Sequence, residues 1–207
     1  MDASTRIRCT AFAGLRCVAS GALNDVVSAV KKTIDESAQT SILIFDDATS
    51  ELIEVDFRGS ADEVLKRLAK SMAADAPAAS AATSERSVPR GPGRPKLGVV
   101  AREVTLLPRH WDWVGTQPGG ASVALRKLVE EARRANHGRD RKRRAQEVTY
   151  RFMSAIAGNL PNFEDAARAL FACDRERFDA MLKRWPKGIR DHAARLSAAA
   201  FDQPPVN

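Results

Sequence analysis

Leu23, Val26, Val27, Val30 and Ile34 recur at i, i+3, i+4, i+7 and i+11, the apolar stripe of an amphipathic helix. Ahead of them, Arg8–Ala13 and Arg16–Ala19 are short runs with strand character, joined by a turn at Gly14-Leu15. Beyond them, Ser41–Phe45 is a β-rich apolar run, Asp46–Thr49 is a turn, and Leu52–Phe57 predicts the second arm of a hairpin. Ser60-Ala61-Asp62-Glu63 has capping-box spacing, so a helix carrying Val64, Leu65 and Leu68 follows. The pattern predicts a small ββαββα domain over residues 1–71 of an α+β protein.

The hydrophobic period disappears from Met72 to Leu97, where Ala, Ser and Pro dominate, and residues 72–97 read as a flexible linker. Residues 98–137 bring the period back. Arg102–Leu107 alternates as a strand does, and Pro108 stops it while suiting the first turn of a short helix with Trp111 and Val114. Trp111 and Trp113, two apart, cannot share a helix face. After the turn Gln117–Ala121, Ser122 is a candidate cap for a helix whose inner stripe is Leu125, Leu128, Val129 and Ala132. Residues 138–207 read as a helical bundle. Its first helix starts in the basic run Arg139–Arg144 and continues through Ile156; Asn162, Asp174 and Pro186 open three more.

Charge changes the picture because it is local. The 207 residues carry a net charge of +7, and residues 98–145 hold eleven basic against five acidic side chains, while 1–71 hold nine against eleven. A polyanionic partner is therefore expected for the central segment and not for the N-terminal domain. Candidate chemistry changes it little. Cys9, Cys17 and Cys173 show no CxxC or Cys/His ligand spacing, so reduced thiols and no metal are expected. Asp46-Asp47 reads as a solvated turn, and His110, His137 and His192 are scattered. Gly14…Gly21 lacks the pattern of a nucleotide loop, and no nucleophile–base arrangement is suggested by spacing. The expectation is a protein that is not an enzyme and carries no cofactor. With no apolar leader and no run long enough to span a bilayer, it is expected in the cytoplasm, without a membrane partner.

Strand, Leu-Pro, short helix, glycine turn and Ser-headed helix, with GASVALRKLVEEARR as the last part, resemble the ribbon-helix-helix DNA-binding proteins over about 35 residues. The resemblance implies a homodimer through residues 102–107, whose paired strands enter the major groove. It makes Arg102 and Thr105, on opposite faces of the strand, the candidate base readers. It also implies that the head of the second helix, at Gly120 and Ser122, holds a backbone phosphate, with Arg109 nearby as a further phosphate contact. Upstream, Gly93-Arg94-Pro95 between Arg90 and Lys96 resembles an AT-hook. That likeness implies an extended arm placing arginine in an A·T-rich minor groove, with Arg90, Arg94 and Lys96 as its contacts. The expected function is that of a DNA-binding protein, a transcriptional regulator or nucleoid-associated factor. The alternative is an adaptor protein whose central unit only dimerises.

Over nearly its full length the chain also resembles a family of bacterial proteins catalogued as a domain of unknown function. The matching phrases are TAFAG (Thr10–Gly14), FDDAT (Phe45–Thr49), GRPKLGVVAREVTLLPRHWDW (Gly93–Trp113) and QPGGAS (Gln117–Ser122). This resemblance implies relatives and carries no activity with it.

Overall fold

A computed structural model describes residues 7–36, 41–75, 100 and 102–202. Among these lie three strands, β1 (Arg8–Ala13), β2 (Arg16–Ala22) and β3 (Ile42–Asp46). There are seven helices: α1 (Leu23–Glu36), α2 (Ala61–Asp75), α3 (Pro108–Gly115), α4 (Gly120–Ile156), α5 (Phe163–Ala172), α6 (Arg175–Leu182) and α7 (Lys187–Ser197). The contacts divide the chain into two compact units, one made of residues 1–76 with 138–207 and the other of 77–137.

In the first unit the sheet is antiparallel with order β2-β1-β3. Gly14, at φ +55°, makes the tight turn between β1 and β2, and a register shift between Ala11 and Phe12 bulges that pair. Side chains alternate across the strands, so β1 and β3 each feed two cores. Cys9, Ala11 and Ile44 lie with Leu23, Val26, Val27 and Val30 of α1 and Val64 and Leu68 of α2. Phe12 and Phe45 lie instead with Phe152, Met153, Leu170, Phe178, Leu182 and Ile189 from α4 to α7. Phe152 stands 5.5 Å from the Phe12 ring and 5.1 Å from that of Phe45. Residues 1–71 and 138–207, expected as separate domains, thus share an apolar cluster. The reason is that TAFA and ILIF are apolar on both faces, and a strand apolar on both faces needs cover on both.

Two further expectations change. Leu52–Phe57 forms no strand: Leu52 makes a single bridge to Phe45, and the Ile53 amide bonds to the Ile44 carbonyl. The chain then turns away, with Asp56 held by Arg58 and by Arg67 of α2 at 2.8 and 3.4 Å. The ββαββα reading therefore becomes ββαβα. The two helices expected at Ser122 and Arg139 are one, α4, which runs 37 residues through Gly138. A single interior glycine costs a helix only about 1 kcal/mol relative to alanine, too little to break it.

Two of the expected caps form as the spacing predicts. Ser60 and Glu63 make both halves of the capping box: the Ser60 amide donates to Glu63 Oε2 at 2.8 Å, and the Glu63 amide donates to Ser60 Oγ at 3.4 Å. Asp174 caps α6 by accepting from the Arg177 amide at 3.0 Å. Asn162 stands just before α5 in the left-handed region, but its side chain makes no capping bond.

Candidate nucleic-acid interface

Residues 102–107 form neither helix nor strand and are exposed except for half-buried Leu106, and Leu107 is extended at φ −66°, ψ 152°. A ladder needs a second strand, and no described residue of this chain supplies one. Pro108 then opens α3 at its first position, where a missing amide costs nothing. Thr116, Gln117 and the two glycines Gly119 (φ +87°) and Gly120 (φ +74°) reverse the chain into α4. A Cβ on Gly119 would meet the Val123 side chain at 3.2 Å, so both backbone angle and space favour glycine there.

The apolar content of this segment is mostly uncovered. Between residues 102 and 137 only Val114 and Ala124 are buried hydrophobics. Val104, Leu107, Trp111, Trp113, Leu128 and Val129 are all exposed, Val129 to 65%. Neither tryptophan is buried within the chain.

The candidate DNA contacts fall as follows. Arg102 and Thr105 lie within residues 102–107 and Arg109 in the first turn of α3, all exposed. Gly120 begins α4, which places Ser122 inside its first turn and three residues past the cap position, Gly119. The Ser122 carbonyl accepts from Arg126 Nε at 3.0 Å. No hydrogen bond or ion pair joins Arg102, Thr105, Arg109 and Ser122 to one another among the described residues. Arg90, Arg94 and Lys96 lie outside the described residues.

The basic run is partly neutralised from within. Arg133 and Arg134 both reach Glu130, at 3.1 and 3.3 Å, and Arg143 takes Asp140 at 3.0 Å and Glu147 at 3.9 Å. Arg102, Arg109, Lys127 and Arg144 have no ion-pair partner among the described residues.

A polar network in the first unit had no warning in the sequence. Asp47, read as solvated, has a side chain only 11% exposed and pairs with Arg195, 148 positions away, through Nη1–Oδ2 at 2.9 Å and Nη2–Oδ1 at 3.3 Å. Thr10 donates to Asp47 Oδ1 at 2.7 Å and exchanges a 2.9 Å bond with Ser20. Arg195 Nη2 also donates to Thr10 Oγ1 at 3.0 Å and to His192 Nδ1 at 2.7 Å. Burial would raise the Asp47 pKa, but the Arg195 and Thr10 hydrogen bonds and the arginine charge outweigh it, and the net direction is downward. Accepting at Nδ1 puts the neutral imidazole proton of His192 on Nε2, which is buried without a partner. Burial first, then the Arg195 charge, push the His192 pKa down to about 4, against a smaller opposing pull from Asp47. Pairs this distant along the chain leave no periodic trace; the FDDAT phrase was the one available signal.

Seven helices and a small antiparallel sheet make this a mixed α+β protein, and among the described residues no helix is long and apolar enough to cross a membrane. It belongs to the family described as "Uncharacterized protein conserved in bacteria (DUF2239)", whose model matches residues 8–197. No curated protein and no solved structure matches the chain.

Proposed function

We propose that the chain is a homodimeric DNA-binding protein, a transcriptional regulator or nucleoid-associated factor, acting through residues 98–137 as a ribbon-helix-helix-like element. One observation carries the reading: residues 102–107 form no strand within the chain, a helix, a glycine turn and a second helix follow, and only Val114 and Ala124 are buried hydrophobics among residues 102–137. A unit of that size with so small a core needs a partner, and a lone extended segment needs a second strand. A second copy supplies both, pairing Arg102–Leu107 with its own symmetry mate and covering exposed Val104 and Leu107. Such a dimer doubles the local positive charge and brings two copies of Arg102, Arg109 and Lys127 to one surface. The amides in the first turn of α4 have no helical carbonyl before them and suit a phosphate. The arm at Arg90, Arg94 and Lys96 is proposed to add a minor-groove contact.

The second reading, an adaptor whose central unit only dimerises, is favoured by the ion pairs that Glu130, Asp140 and Glu147 make with the arginines of α4. Polarisation titrations of the full chain on A·T-rich and G·C-rich duplexes at about 50 and about 200 mM salt separate the two. Electrostatic DNA contact loses affinity steeply over that range, by on the order of tenfold or more for several phosphate contacts. Arg94→Ala is expected to weaken A·T-rich binding more than G·C-rich binding. Absence of DNA binding at the lower salt, with a dimer still present, hands the function to the adaptor reading.

A further inference from the structure

A cavity of about 250 Å³ opens in the first unit between the turn after β3, one face of α4 and the end of α7. Arg141, Arg144, Ala145 and Val148 line it from α4 at i, i+3, i+4 and i+7, and Asp47 and Arg195 line it from the other two elements. Ala145 and Val148 are buried and give it apolar surface. Its charge is what singles it out: three guanidinium groups converge with one carboxylate.

That carboxylate is already spent. Asp47 is held by two Arg195 nitrogens and by Thr10, a locked pair that leaves Nε and the second Nη1 hydrogen of Arg195 without an acceptor among the described residues. Arg144 has no ion-pair partner there, because Asp140 and Glu147, its nearest acids along α4, are taken by Arg143. Arg141 is tied to Asp202 at 3.0 Å, but both side chains are more than half exposed, so an incoming anion can displace that carboxylate at little cost. The lining then carries a net charge of two positive units, which suits a phosphoryl group carrying one or two negative charges. Arginine forks fit the tetrahedral oxygens of phosphate, where several donors reach different oxygens at once.

We propose that the cavity lined by Arg141, Arg144 and Arg195 binds a phosphoryl anion. The site lies in the first unit and does not depend on residues 98–137 contacting DNA. Its phosphoryl group comes either from a small phosphorylated molecule or from a nucleic-acid backbone. Arg195 positions the site, since its Asp47 and His192 contacts fix it, and Arg144 supplies the uncommitted charge.

Calorimetric titration of the full chain with inorganic phosphate, against chloride at matched ionic strength, tests the site directly, and duplex titration by polarisation runs alongside. Arg144→Ala is expected to weaken binding by about tenfold or more. Lys142→Ala, on the same helix but outside the cavity lining, is the control and is expected to change neither titration more than about twofold. Loss of phosphate binding alone in Arg144→Ala assigns a small phosphorylated ligand. Loss of DNA affinity, with or without phosphate binding, assigns a backbone phosphate. The site is overturned if the parent does not bind phosphate and Arg144→Ala binds DNA like the parent, or if Lys142→Ala loses as much as Arg144→Ala.

Discussion

His192 shows how one residue can matter through where it sits. Its ring lies 4.4 Å from that of Phe152 and 5.5 Å from that of Phe12, 4% exposed, with Nδ1 accepting a hydrogen bond from Arg195 and Nε2 facing no acceptor. Protonating it would bury a charge beside a guanidinium, which is why its pKa falls from 6.5 to about 4. Above about pH 6.5 the imidazole is neutral folded and unfolded, and it costs nothing. As the pH falls toward 4 the unfolded chain takes up a proton that the folded chain refuses, so stability falls, by about 3 kcal/mol in all at about 1.4 kcal/mol per pH unit. Urea unfolding at pH 7.5 and pH 4.5 is expected to show this loss, and His192→Phe is expected to remove most of it. An equal slope in parent and variant would mean that another group titrates there. Nothing in the sequence marked this residue. A lone histidine on an apolar helix face reads as ordinary core, and the rings packed on it come from Phe12 of β1 and Phe152 of α4, far away along the chain.

Elements were legible where one physical rule decided them alone. The stripe of α1, the capping box of α2, Pro108 at the start of α3 and Asp174 at the start of α6 stand where the spacing put them. The failures came where neighbours decided. Leu52–Phe57 has strand composition, but Asp56 is drawn to Arg58 and Arg67, and pairing stops at Leu52. Ser122 has cap composition, yet Gly119 and Gly120 adopt positive angles and α4 begins at Gly120, three residues sooner than a Ser122 cap would start it. The segment Arg102–Leu107 is the open case, since a strand that pairs between copies stays unpaired in one. Proline in such a ribbon removes a ladder amide, and Val104 is 54% exposed, so the change leaves the chain's own core untouched. Val104→Pro is therefore expected to turn a dimer into a monomer in sedimentation at micromolar concentration while circular dichroism stays unchanged. A parent that sediments as a monomer, or a variant that stays dimeric, would remove the ribbon.

At the scale of the whole molecule, the decisive feature is that strands β1 and β3 are covered on both faces. Their composition already said so: Thr10–Ala13 and Ile42–Phe45 are short runs without the alternation of a half-exposed strand, and a run apolar on both faces implies cover on both. What stayed hidden was the source of the second cover, because residues 138–207 also read as a self-contained bundle, with four helices and their own caps. The structure gives Phe12 and Phe45 to that bundle, each fully buried, and ties the two parts further through Asp47 and Arg195. Removing residues 138–207 would uncover both rings along with the sheet face around them. Exposing a phenylalanine costs roughly 1.5–3 kcal/mol, and a domain's whole stability is about 5–15 kcal/mol. Two such losses, with Asp47 deprived of its guanidinium, consume most of what a unit of this size has. Residues 1–71 expressed alone are therefore expected to show no cooperative unfolding transition and to bind a hydrophobic dye. Mixing them with a separately made fragment 138–207 is expected to restore a transition. A cooperative transition in the isolated N-terminal fragment would show that α1 and α2 alone hold the sheet, and the shared core would then be a docking surface between two independent domains.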